Sequence, residues 1–284
     1  MVEEKTKGGV KTRRTIAYIV LSIASFFCII WFYIMLINAT RSNSELGRGF
    51  TVLPSDQLFT NLNNALFHSS QNILRGLLNS VIISTLAAFL CVYFSAMTAY
   101  AIHAYDFKLK RFLFTFILAI MMIPTQVTAL GFLELVRGMK LMNNFVPLIV
   151  PAIASPIVFF YMKQYMESAL PIELLEAARI DGAGEIRIFN TIVLPLMVPA
   201  MAVQAIFSFV ANWNNYFTPA LVLDKKEMKT LPILIAELRS ADFMKFDMGQ
   251  VYATIAFSIF PVILIYLILS KYIVGGLAAG SVKG

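Results

Sequence analysis

Six stretches of this 284-residue chain contain no Asp, Glu, Lys or Arg: 15–40, 76–105, 112–133, 141–162, 188–223 and 248–270. Each is long enough for the roughly 20 helical residues that cross a bilayer core of about 30 Å. Apolar residues run through them continuously, without the alternation over about ten residues that marks a membrane β-strand. The pattern predicts six transmembrane helices. The run 188–223 is too long for one crossing and too short for two with a turn, so the fifth span is placed at about 190–211. The stretch "NWNNYFTPALVL" then follows as a segment beyond the span.

Composition agrees with a membrane protein. Charged residues make up 14% of the chain, against roughly 25% in an average soluble domain. Mean hydropathy is +0.76, more apolar character than a soluble fold of this length can hide. The first run, "TIAYIVLSIASFFCIIWFYIMLI", has 23 residues, longer than the roughly 7–15 of a cleaved signal core. No clear A-x-A site follows, so a retained first helix is expected. Cys28 and Cys91 lie inside predicted spans with no ligand-spaced His or second Cys, as small packing residues would. No metal site is expected.

Charge then orients the helices. Lys5, Lys7, Lys11, Arg13 and Arg14 precede the first span, and Lys108, Lys110 and Arg111 fill the short loop after the second. The positive-inside rule puts both clusters in the cytoplasm. Six spans bring the C-terminus back to that side and leave 38–73 and about 212–247 outside.

Within the spans, Ser80, Ser84, Ala88, Cys91, Ser95 and Ala99 recur at three- or four-residue spacing, a small-residue seam for close helix packing. Pro124, Pro151, Pro156, Pro195, Pro199 and Pro261 predict kinks. Glu134 is the main ionisable candidate inside a span. The buried carboxylates and paired broken halves of an ion-coupled carrier are not evident. His68 and His103 stand alone, and no Ser/His/Asp set or carboxylate pair supports an enzyme.

A short charged segment lies between two apolar runs in "SALPIELLEAARIDGAGEIRIFNTIVLPLMVP", from Ser168. Pro171 suits the first turn of a helix. Glu173 and Glu176 suit its positive N-terminal end. Pro171, Leu174, Leu175 and Ala178 fall on one face. Gly182 can take the left-handed conformation that ends a helix, and Asp181 could equally cap the next one. The segment reads as a short amphipathic helix, a sharp turn and a second helix at the membrane surface. Such a helix could fill a cleft in another protein or lie on lipid headgroups.

Glu176, Ala177, Ala178, Gly182, Ile192, Leu194 and Pro195 fill the pattern E-A-A-x3-G-x9-I-x-L-P without departure. This resembles the cytoplasmic loop of ABC-importer permeases. The fuller "LPIELLEAARIDGAG" with a later "LPLMVPA" looks like the carbohydrate-uptake branch. The ending "YIVGGLAAGSVKG" resembles the tail of the smaller, maltose-type sugar permease, and "NWNNYFTPALVL" is similar to the outer segment of that group. The resemblance covers about 75–284.

The resemblance implies an all-α membrane protein with the type I ABC importer permease fold. It would have six transmembrane helices and a cytoplasmic coupling helix between the fourth and fifth. Residues 1–73 would form the N-terminal cytoplasmic segment, first helix and extracytoplasmic segment. Residues 74–274 would form the core permease domain of five helices with its loop at 164–190, and 275–284 a cytoplasmic tail. The location implied is a bacterial or archaeal cytoplasmic membrane, with both termini cytoplasmic.

The function implied is uptake of a sugar or oligosaccharide delivered by an extracytoplasmic binding protein. A second permease, expected to be a different chain, would complete the path, and two ATP-binding subunits would power it. No G-x-x-x-x-G-K-[ST] occurs, so ATP and Mg belong to those partners, and this chain binds no cofactor or nucleic acid.

The resemblance also assigns roles. Glu173 and Glu176 would be polar contacts to the ATPase, Ala177 and Ala178 would allow close approach, and Asp181 and Gly182 would form the turn. Leu194 and Pro195 would seat the next helix. Gly275, Gly276, Gly280 and Lys283 would belong to a tail reaching the ATPase. Asn212, Trp213, Asn214, Asn215 and Tyr216 offer amides and aromatic faces to a sugar, to the binding protein or to the membrane interface. The alternatives are the same machine carrying a polyol or glycerol phosphate, a stand-alone ion-coupled carrier, and a scaffold that binds an ATPase but moves nothing.

Overall fold

The structure is a computed structural model, which describes residues 2–68, 71–240 and 247–280. Among the described residues there are helices and no β-strands. In chain order they are α1 (Val2–Ala39), α2 (Asn43–Gly47), α3 (Leu58–Asn63), α4 (Ile73–Ala104), α5 (Lys110–Ile120), α6 (Thr125–Gly138), α7 (Val146–Ile149) and α8 (Pro156–Ala169). There follow α9 (Ile172–Ile180), α10 (Glu185–Ile188), α11 (Leu194–Trp213), α12 (Phe217–Val222), α13 (Leu231–Ser240), α14 (Met248–Ser258) and α15 (Phe260–Gly280).

Among the described residues, five stretches are long and apolar enough to cross a membrane: Arg13–Ala39, Ile73–Ala104, Val146–Ala169, Glu185–Trp213 and Met248–Ile273. The expected sixth, the run 112–133, is not one helix. It divides into α5, of 11 residues, and α6, of 14. Pro124 sits at the break with φ −62° and ψ 132°. Its ring disfavours helical geometry at Ile123, and it lacks the N–H that would continue the ladder. The fourth span also differs from the apolar run that announced it. It passes through α7 and a 3-10 turn at Val150–Ile153 before α8, which extends beyond Lys163. Lys163 is buried and pairs with Glu167 one turn later, so the charge is matched within the same helix.

The chain forms two compact units. The larger comprises 71–237 and 258–284. At its centre α4 packs against α8 and α11, and α11 packs against α15. All six small residues of the α4 seam are buried. With no bulk on that face the neighbouring backbones approach closely, which is how helices associate where lipid removes the hydrophobic drive. At one end of α4, Asn79 donates through Nδ2 to the carbonyls of Glu227 and Lys229, both at 2.9 Å, and the Ser80 hydroxyl accepts from the Leu231 N–H at 2.9 Å. Two carbonyls of the preceding turn and the first N–H of α13 are thus held by α4.

The smaller unit comprises residues up to 70 together with 238–257. From Arg13 to Ile29, α1 is exposed all round, as a uniformly apolar helix is when its surroundings are lipid. After it, 40–57 folds on itself. Ser42 and Glu45 form a reciprocal capping box on α2, the Arg41 guanidinium donates to the carbonyls of Glu45 and Gly49, and Glu45 accepts from the Ser55 hydroxyl at 2.9 Å. Asn61 Nδ2 bridges the carbonyls of Ala39 and Arg41 at 3.0 and 2.9 Å. Gly249 lies against that bridge, where an added Cβ would stand 2.5 Å from the Arg41 carbonyl oxygen. The segment 38–73 carried no readable motif in sequence, yet 40–57 is a built element.

Candidate coupling loop and transport cavity

The loop 168–195 is assembled from local backbone chemistry. Pro171 is the N-cap of α9 rather than its first helical residue, with φ −63° and ψ 138°. It fixes the chain's entry and leaves no N–H unpaired. The helix closes on Gly182, whose φ is +78°. The Ala183 N–H bonds to the Ala178 carbonyl and the Gly182 N–H to the Arg179 carbonyl, both at 3.0 Å. This is the paired closure of a Schellman motif, and it needs a left-handed residue between its two donors. Nothing lies within 4 Å of a Cβ added to Gly182, so the demand there is conformational and not steric. Asp181 is the C-cap of α9 and makes no side-chain cap on α10.

Beyond the turn, α10 passes through a π-helical segment, Phe189–Val193, into α11. The Leu194 N–H reaches back five residues to the Phe189 carbonyl. Asn190 and Thr191 bond their side chains to the carbonyls four residues back, at 2.8 and 2.7 Å. Pro195 has no N–H to give. Together these loosen the ordinary ladder where the surface segment becomes a spanning helix.

The two faces of α9 differ sharply. Leu175 and Ala178 are buried in a core with Ile188, Phe189 and Val193. The face expected to turn inward, through Pro171, Leu174, Leu175 and Ala178, is therefore only half realised: Pro171 and Leu174 are exposed. Ala178, expected to let a partner approach, instead lets α9 lie close to its own chain, while Ala177 is exposed. Glu173, Glu176, Ala177 and Ile180 follow helical spacing on the outward side, with Asp181 at its end. Ile180 is 86% exposed and Ile186 81%. The result is an apolar ridge with an acidic rim. Leu194 is half-buried against the core and Pro195 is exposed.

The loop is tied to α4 by His103, which the sequence had singled out, and by groups that it had not. Tyr100 donates its hydroxyl to Glu185 Oε2 at 2.6 Å. Arg179 Nε donates to Glu185 Oε1 at 2.7 Å, and its guanidinium lies 5.3 Å from the centre of the Tyr105 ring. The hydrogen bond to Glu185 holds Arg179 above even its ordinary high pKa, so the guanidinium keeps its charge. His103 Nε2 donates to the Leu170 carbonyl at 3.0 Å. The Phe189 ring packs against both Tyr93 and Tyr100, with ring centres 5.6 and 5.7 Å away. The Tyr93 hydroxyl also donates to Asn190 Oδ1 at 3.2 Å, and the hydrogen-bonded partners of His103, Tyr100 and Tyr93 lie 67, 85 and 97 residues away with no shared local pattern.

A second feature is a cavity of about 650 Å³ in the larger unit. Its lining is mostly apolar, with polar positions at Gln204, Ser208, Asn212 and Asn215 along α11 and just after it, and at Thr128, Ser155 and Thr218. The first three recur every four residues, so they form a stripe on one face of α11. Gln204 is buried and also borders a smaller cavity of about 260 Å³ with Tyr161 and Tyr165 of α8.

The five residues at 212–216 separate here. Asn212 and Asn215 line the larger cavity. Trp213 is buried and stacks on Phe209 at 5.7 Å. Asn214 and Tyr216 are exposed and do not line it. Lys283 lies outside the described residues, and Gly275, Gly276 and Gly280 lie in the last turns of α15.

Residues 92–278 match the family described as the binding-protein-dependent transport system inner membrane component, over more than half of the chain. The chain belongs to that family. Among relatives of this transport component, the arabinooligosaccharides transport system permease protein AraQ of Bacillus subtilis is 35% identical over 276 residues, 95% of each chain. The lactose transport system permease protein LacG of Rhizobium radiobacter is 31% identical over 271 residues, 94% of this chain and 96% of that one. Among solved structures, a chain of a bacterial ABC transporter involved in the import of the acidic polysaccharide alginate matches with a TM-score of 0.78 at 22% identity. That match covers 91% of this chain and 95% of the other. The fold of the transport component is that of the ABC importer permeases.

Proposed function

We propose that this transport component is one of two permease subunits of an ATP-driven importer for a sugar or oligosaccharide. An extracytoplasmic binding protein delivers the solute, and two ATP-binding subunits drive the cycle. The lysine- and arginine-rich N-terminus and α9 face the cytoplasm, and 212–216 faces the other side. ATP and Mg bind to the partners.

One observation carries the coupling role: the exposed ridge of Ala177, Ile180 and Ile186, with its rim of Glu173, Glu176 and Asp181, on a loop whose other face is packed into the core. Surface isoleucines this open are unfavourable in water, and a partner cleft gives them a use. Because α9 is fixed to α4 and runs on into α11, a push on the ridge moves the helices that wall the cavity.

The cavity favours a neutral polyhydroxy solute over glycerol phosphate. Among the described residues its lining includes no Lys, Arg or His, whereas recognition of a phosphate calls for cations or clustered N–H donors. Amides and hydroxyls on an apolar wall suit sugar hydroxyls and the apolar faces of their rings. The arabinooligosaccharide and lactose permeases among the relatives support the same solute class.

The test is affinity purification of this chain from its native membrane in mild detergent, with and without Glu176→Lys. Recovery of an ATPase, a second permease and a binding protein, with the ATPase lost from the variant, supports the proposal. A chain recovered alone, with no difference in the variant, defeats it in favour of a stand-alone carrier. The recovered binding protein, titrated with sugars and with glycerol phosphate, names the solute.

A further inference from the structure

We propose that Tyr100, Arg179 and Glu185 form a brace that transmits movement of the coupling loop to α4, with Glu185 its positioning residue. This inference rests on the docking role proposed for α9, but it concerns a different face of the loop.

Glu185 stands where three elements meet. It is the first residue of α10, just past the turn that ends α9. One carboxylate oxygen accepts from Arg179 of α9, and the other from the hydroxyl of Tyr100, which belongs to α4 and is buried. A single carboxylate thus links the helix before the turn, the helix after it and the central spanning helix. Charge-assisted hydrogen bonds to two partners from fixed directions make a stiff joint, where apolar contact alone would let surfaces slide. Phe189, packed between Tyr93 and Tyr100, and the His103 bond to the Leu170 carbonyl flank the joint on both sides.

The outward ridge and the brace divide the work. Ile180, Glu176 and Ala177 face away from the chain, whereas Tyr100 is buried and the half-exposed Glu185 turns its carboxylate onto Tyr100 and Arg179. Loss of the ridge removes the partner. Loss of the brace leaves the partner bound but lets α9 rock without carrying α4, so ATP is hydrolysed with little transport.

The experiment uses the complete importer, with both permeases, the ATPase and the binding protein, reconstituted in lipid vesicles. Uptake and ATP hydrolysis are measured on the same preparation, and ATPase content is measured by copurification. Glu185→Gln, which keeps the shape and removes the charge, is expected to retain the ATPase and to lower solute carried per ATP by about tenfold. Tyr100→Phe removes one hydroxyl and is expected to lower the same ratio by about threefold. The exchange Arg179→Glu with Glu185→Arg restores opposite charges across the turn but leaves no acceptor at 185 for the Tyr100 hydroxyl, so it is expected to leave the ratio low.

Proportional loss of uptake and hydrolysis, or an unchanged ratio in both single variants, overturns the brace. Loss of the ATPase from the Glu185→Gln complex also overturns it, by making Glu185 part of the docking surface. If the unaltered complex itself holds no ATPase, the docking role fails first, and the brace fails with it.

Discussion

The loop 168–195 and the segment 212–216 were both conspicuous in the sequence, and they are built by opposite means. In the loop, nearly every conspicuous residue has a local role. Pro171 caps, Gly182 reverses the chain, and Pro195 joins the π segment to α11. The second segment is a cluster in sequence only. Asn212 and Asn215 face a cavity, Trp213 faces the packed interior, and Asn214 and Tyr216 are exposed. A motif written by backbone geometry keeps its residues together in space, whereas a helix end scatters consecutive side chains around its axis.

The largest effect should come from the loop's outward face. Ile180→Asp places a charge where an apolar residue is 86% exposed. Within the chain it disturbs nothing buried, so the protein should insert and fold as before. Interface anchors of this kind are worth roughly 2 kcal/mol or more, so association with the ATPase should weaken by about 30-fold. Copurification and uptake measure it. Normal ATPase recovery would move docking elsewhere on the surface and dissolve the contrast between the two regions.

Gly182→Val comes next. A β-branched residue at φ +78° is strained by about 1–3 kcal/mol, although nothing crowds its side chain. Uptake should fall severalfold or more, with the ATPase retained in part. Gly182→Asn should recover most of the loss, because Asn tolerates the left-handed region. Equal defects in Val and Asn would mean that side-chain volume, and not backbone conformation, is what the turn excludes.

The cavity stripe should give smaller and different effects. Ser208→Ala and Asn212→Ala remove hydrogen-bonding groups from a wall that is otherwise mostly apolar. Each should raise the KM for uptake by about fivefold, near 1 kcal/mol, with no change in ATPase recovery. Gln204→Leu should act similarly and separates the two cavities that share that side chain. A change in solute carried per ATP at unchanged KM would place the stripe in coupling and not in recognition.

The spanning helices and the loop were legible because a run of apolar residues and a Gly-Pro framework are local signals. The small-residue seam of α4 was legible for the same reason. The division of the third run was not, although Pro124 was visible. A proline inside an apolar run can kink a helix or end it, and its presence alone does not say which. The Tyr100–Glu185–Arg179 cluster and the Asn79 clamp join residues 85 and about 150 positions apart, so no periodicity reports them. The polar stripe of α11 was half visible: Asn212 and Asn215 drew attention because they sit among other amides, while Ser208 and Gln204 were diluted by apolar neighbours.

The smallest expected effect separates a sequence cluster from a site most sharply. Asn214→Ala and Tyr216→Phe alter residues that lie within two positions of Asn212 and Asn215 but do not line the cavity. If solute is recognised in the cavity, both variants should keep KM within about twofold of the unaltered protein, since exposed polar groups exchange one hydrogen-bond partner for water at little net cost. The binding protein's contribution can be isolated by repeating uptake at saturating and limiting binding protein. A defect seen only when it is limiting would make Asn214 and Tyr216 part of its docking surface, with the cavity still the place of recognition. A raised KM at saturation would extend the recognition surface out of the cavity to the end of α11, and the separation of 212–216 into lining and non-lining residues would then have no functional meaning.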